Sequence, residues 1–75
     1  MKIGEVLGEV KALRKAPCLE GQRIVMVAIG AEHLAAADPV GSQTGDQVLL
    51  ALGDAASRYC MEMPVDAAVV AVVEK

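Results

Sequence analysis

Aromatic side chains are almost missing from this chain, which has no Trp, no Phe and a single tyrosine, Tyr59. Proteins that hold single-stranded nucleic acid stack its bases on aromatic rings at about 1–3 kcal/mol per base, and no such platform exists here. Positive charge is also scarce. Seven Lys and Arg against ten Asp and Glu leave a net charge of −3, and no basic run exceeds Arg14-Lys15, so a phosphate backbone is repelled at long range. Nucleic acid is not an expected partner. No apolar run approaches the roughly 20 residues that span a bilayer, and Met1-Lys2-Ile3-Gly4-Glu5 lacks the apolar core of a secretion signal. The expectation is a soluble, intracellular protein with no membrane partner.

Reactive residues are equally sparse. Cys18 and Cys60 lie far apart without CxxC spacing and read as free thiols, with a structural disulfide as the alternative. His33 is the only histidine, and a zinc site needs three or four ligands. Asp38, Asp46, Asp54 and Asp66 each adjoin a turn, where short carboxylates bond local backbone N–H groups. General acid–base catalysis needs paired groups in a pocket, and no such pairing is visible. The glycines at 41 and 45 resemble a phosphate-cradling turn but lack its GK[ST] ending. Neither an enzyme nor a cofactor is expected.

What the chain does have is aliphatic surface. Of its 75 residues 55% are hydrophobic, a high share for one domain that buries only about 60% of the surface its unfolded chain exposes. The clearest case is the final segment, Pro64-Val65-Asp66-Ala67-Ala68-Val69-Val70-Ala71-Val72-Val73. A strand apolar on both sides needs a cover on both sides, so a second subunit is expected over one of them.

Residues 2–12 alternate, placing Gly4, Val6, Gly8, Val10 and Ala12 on an inner face, with Ile3, Glu5, Leu7, Glu9 and Lys11 outside. Glycines inside a strand mark bending or close approach by another backbone. A second strand is expected at residues 23–29, a turn at 30–33, and at best a short strand within 34–40, interrupted by Asp38-Pro39. A polar loop over 41–46 leads to a fourth strand at 47–52 ended by Gly53. Asp54 is placed to cap a short helix over 54–59. The fold class is therefore all-β: a single domain over 1–75, built as a small five-stranded OB-like barrel with one short helix.

Three blocks, in order, resemble the EutN/CcmL family, the pentameric vertex proteins of bacterial microcompartment shells, including carboxysomes. The first is Ile3-Gly4-Glu5-Val6-Leu7-Gly8-Glu9-Val10 with Ala12 and Arg14-Lys15, continued by Leu19-Glu20-Gly21-Gln22-Arg23-Ile24. The second is Ala37-Asp38-Pro39-Val40-Gly41, then Gly45-Asp46-Gln47-Val48-Leu49 and Gly53. The third is Pro64-Val65-Asp66-Ala67-Ala68-Val69-Val70 with its apolar continuation. The sequence departs from the family at Leu13, where Thr is usual, at Ser42-Gln43, and at Arg58, which stands one position late. Residues 27–36 are also shorter than in many members.

The resemblance implies a barrel that assembles as a cyclic homopentamer and caps five-fold corners of a shell tiled by hexameric proteins, in the bacterial cytoplasm. On that reading Ile3, Leu7, Val69, Ala71 and Val73 are expected at the subunit interface. The loop Gly41-Ser42-Gln43-Thr44-Gly45 is expected at a rim or axial pore, and Arg14, Lys15 and Arg58 against hexameric shell neighbours, since arginine suits polar rims. The alternative is a small OB-fold binding module for nucleic acid or a peptide.

Overall fold

The computed structural model describes residues 1–54, 56 and 66–74, with the side chain of Cys18 outside the description. Five strands form: β1 (Lys2–Glu9), β2 (Ile24–Ile29), β3 (Glu32–Ala37), β4 (Gln47–Leu52) and β5 (Ala67–Val73), with a 3-10 helix at Pro17–Leu19 between β1 and β2. They close into a barrel in the order β1-β2-β3-β5-β4, with β4 hydrogen-bonded back to β1. Every pairing is antiparallel except β3 with β5, which is parallel and rests on one residue pair, Ala37 with Ala68.

The interior is aliphatic and small: Val6, Val25, Val27, Ala36, Val48, Leu50, Ala67 and Val69, with Ile29, Leu34 and Leu52 partly buried against them. Each fully buried Val or Leu contributes roughly 1.5–3 kcal/mol. A barrel of only five strands leaves little room inside, and Gly4 shows how little. A Cβ at Gly4 would lie 2.5 Å from Val27 Cγ1 and 2.8 Å from the carbonyl oxygen of Ala28, so the close approach expected of a strand glycine is met there. Gly8 has open space beside it.

Three boundaries differ from the sequence expectation. β1 ends at Glu9 rather than near residue 12, and it carries one extra residue, Leu7: Val6 opposes Val27 while Gly8 opposes Met26. Such a bulge offsets the alternation by one, so Gly8 faces away from the side occupied by Val6. β3 begins at Glu32 because Gly30, at φ 59°, supplies the positive φ that a two-residue hairpin turn requires at its first position. His33 therefore lies in the strand opposite Ala28, not in the turn. β3 stops at Ala37, since the Asp38 carboxylate gathers the next backbone amides into a turn. The helix expected at 54–59, and residues 64 and 65 of the expected terminal strand, fall largely outside the described residues.

Candidate assembly surface

Residues opposed across neighbouring strands share a face of the sheet, and the register therefore sorts the outer surface into rows. Ile3 on β1 opposes Leu49 on β4, which opposes Ala71 on β5. This row crosses three strands with no charge in it, and Ile3 is 56% exposed. The adjacent row is Glu5, Gln47 and Val73, polar except for a half-buried Val73. Leu7 stands exposed at the bulge, and Val10, just past β1, is exposed as well.

Val69 does not belong to this surface. It is 0% exposed and packs in the barrel core, so its expected place at the subunit interface is corrected to the interior. The cause is a second bulge. Leu49 pairs with Ala71 but Leu50 with Val69, which leaves Val70 as the extra residue and shifts the facing of β5. Uniform apolarity along the segment hides that shift. Val72 opposes the core residue Val48 and is 45% exposed near the end of β5.

A second apolar face lies on the other side of the barrel. Ile24, Met26 and Ala28 on β2 oppose Ala37, Ala35 and His33 on β3. Ala37 and Ala68 are buried beneath Leu19 and Ala56. Beside them opens a cavity of about 200 Å³ lined by Leu19, Ile24, Ala35, Ala36, Ala37, Asp66 and Ala67.

The loop 41–45 is built around Asp38, whose side chain is wholly buried. Its Oδ1 accepts the N–H groups of Val40 (3.2 Å) and Gly41 (3.1 Å). Its Oδ2 accepts the Ser42 N–H (2.8 Å), the Ser42 hydroxyl (2.9 Å) and the Arg23 guanidinium. Positive φ at Gly41 (87°) and Gly45 (92°) lets the chain wrap the carboxylate and return. Gly45 then donates to the Val6 carbonyl at 2.8 Å, and Val6 donates to that of Asp46 at 2.9 Å, fastening the loop to β1 beside its bulge. Ser42 is 1% exposed, so its expected place lining a pore is corrected to a buried anchor of the loop. Gly41, Gln43 and Thr44 are the exposed part.

Arg23 also reaches Glu9, at 3.4 Å. Lys11 lies 3.4 Å from the other Glu9 oxygen, and Lys11 first, then the Arg23 hydrogen bond, hold the Glu9 carboxyl below its ordinary range. Arg14 and Lys15 are exposed in the segment between β1 and the 3-10 helix. Arg58 lies outside the described residues. Among the described residues no group of three or more His, Cys, Asp and Glu could hold a metal ion, and no helix is long and apolar enough to cross a membrane.

Sequence reasoning passed over two contributors. Leu49 sits in a uniformly apolar strand, and only its pairing with Ile3 and Ala71 places it outside. Arg23 opens the second predicted strand, and its partner Asp38 is 15 residues away.

A small closed barrel with apolar rows on two outer faces is an architecture for self-assembly. The chain belongs to the EutN/CcmL family: the family model described as ethanolamine utilisation protein EutN/carboxysome matches residues 1–74. The carboxysome shell vertex protein CcmL of Synechococcus elongatus is 36% identical over 83 residues, covering 99% of this chain and 84% of that protein. Among solved structures, CcmL of a Nostoc species superposes with a TM-score of 0.88 at 32% identity, over 97% of this chain and 88% of that one. The GrpN pentameric microcompartment shell protein of Rhodospirillum rubrum gives a TM-score of 0.88 at 28% identity, over 100% of this chain and 95% of that one.

Proposed function

We propose that this chain is a structural shell protein that closes into a homopentamer and caps the five-fold vertices of a bacterial microcompartment in the cytoplasm. The observation that carries this reading is the uncharged outer row Ile3, Leu49 and Ala71, set on the opposite side of the barrel from the Ile24, Met26 and Ala28 face of β2. Two different apolar surfaces on one protomer fit a heterologous contact, which closes a ring when its rotation divides a full turn. A flat hexagonal sheet closes into a shell only where some positions become five-fold, and a pentamer fills them. The role is geometric and needs no turnover.

In this reading Ile3, Leu7, Ala71 and Val73 serve the subunit interface. The exposed part of the Asp38-anchored loop, Gly41, Gln43 and Thr44, serves a rim or axial opening. Hexameric shell proteins are the partners that surround the ring. The binding-module alternative lacks a supporting observation, since the outer faces carry neither an aromatic platform nor a basic groove among the described residues.

Native mass spectrometry at near-physiological salt tests the assembly, with a closed pentamer as the expected species. Mixing with hexameric shell proteins should then give closed particles, where hexamers alone give sheets or tubes. A monomer persisting at high concentration overturns the proposal.

A further inference from the structure

Among the described residues Leu13 is the most exposed large apolar side chain, at 104% relative to a reference chain. It stands in a segment that carries Lys11, Arg14 and Lys15, three of the seven basic residues. A fully hydrated leucine is unfavourable for a lone protomer, and here it does not stand alone. Ile3, Leu7 and Val10 are also exposed, along β1 and just beyond it, Ile3 belongs to the proposed interface row, and Leu13 follows them in sequence.

The cavity on the β2–β3 side has the complementary character. Its walls include Leu19, Ile24, Ala35, Ala37 and Ala67, and an exposed carboxylate, Asp66, is part of its lining. Glu20, also exposed, follows Leu19. At about 200 Å³ it exceeds the roughly 150 Å³ at which an apolar cavity accepts a benzene-sized guest. The knob is apolar with basic flanks, whereas the hole is apolar with one carboxylate, Asp66, in its lining and Glu20 next in sequence to its wall residue Leu19. The knob stands between β1 and the 3-10 helix, and the hole is walled by the end of that helix together with residues of β2, β3 and β5, so the contact would pair two different surfaces, as a heterologous ring requires.

We infer that Leu13 of one protomer inserts into this cavity of the next protomer around the ring, with Arg14 and Lys15 placed against the neighbour's acidic rim at Asp66 and Glu20. The occupant is a second copy of this chain. This rests on the pentamer reading and gives that ring its anchor, and it assigns Arg14 and Lys15 to the adjacent protomer instead of to a hexamer. Buried apolar anchors ringed by charge carry most of the energy in many interfaces.

Two measurements test it. In the first, Leu13→Asp and Leu13→Met are compared with the parent chain by native mass spectrometry across a dilution series, with circular dichroism as the check on folding. Leu13→Asp should fold and raise the concentration at which the ring half-dissociates by about tenfold or more, and Leu13→Met should restore it. In the second, a benzophenone amino acid at position 13 is photoactivated in the assembled protein. Cross-links between subunits should map to peptides containing residues 19–24, 35–37 or 66–67. A pentamer unchanged by Leu13→Asp, or cross-links confined to one chain, overturns the inference while leaving the pentamer standing. Loss of co-assembly with hexamers from an intact Leu13→Asp pentamer also overturns it, by placing the segment at the hexamer contact. A parent chain that is monomeric or dimeric sinks the pentamer reading itself.

Discussion

Two glycines of β1, four residues apart, carry opposite constraints. At Gly4 a methyl group would collide with the Val27 side chain and the Ala28 carbonyl, and backbone gives way less readily than a flexible side chain. Gly4→Ala should therefore cost roughly 1–3 kcal/mol and lower the thermal midpoint, while Gly8→Ala should leave it within about 0.5 kcal/mol. Comparing the two melting curves checks this, and equal losses would refute the packing argument. Asp38 is the other decisive residue. Replacing it by Ala strips acceptors from three backbone amides, the Ser42 hydroxyl and Arg23 together, and should cost about 2 kcal/mol while loosening the 41–45 loop. Hydrogen exchange at the Gly41 and Ser42 amides, faster in the variant than in the parent, is the readout.

At the scale of elements, much of the barrel was legible because strands announce themselves by apolar runs between turn residues. β2 and β4 lie almost where the runs at 23–29 and 47–52 put them. What the sequence could not disclose is which way each side chain faces once a strand carries an extra residue. The alternation of residues 2–8 sets Ile3 outside and Val6 inside as expected, but the bulge at Leu7 turns Gly8 around. In β5 there is no alternation to read, and the bulge at Val70 sends Val69 inward. The candidate surface was legible in the same measure: the outward facing of Ile3 by alternation, that of Ala71 only as an expectation under the resemblance, and that of Leu49 not at all. The corrected facing separates two kinds of variant. Val69→Ala should destabilise the barrel by about 2 kcal/mol and still yield rings, whereas Ile3→Asp should keep the barrel and dissolve the ring. Melting curves together with native mass spectra distinguish these outcomes, and Ile3→Asp pentamers would remove the row from the interface.

The whole molecule is economical because its chemistry is almost all surface placement. With a core of Val, Ala and Leu, a protomer of this size has small reserves of stability, and burial between subunits at roughly 25 cal/mol per Å² of apolar area adds to them, offset by the cost of association. If Ile3 and Leu13 lie in the subunit interface as proposed, stability and assembly are linked: dissociating the ring would expose both to water, and the melting midpoint should rise with protein concentration.

The parallel seam between β3 and β5 has a mechanical meaning. With Ala37 and Ala68 as the one bridging pair, the barrel is a hoop fastened by a single clasp, while its other four seams are stitched along their length. Under load a hoop parts at its clasp. A protomer wedged at a corner, pulled by facets that meet at slightly unequal angles, would take up the mismatch by spreading at Ala37 and Ala68, and the stitched wall running β5, β4, β1, β2 and β3 would keep its shape.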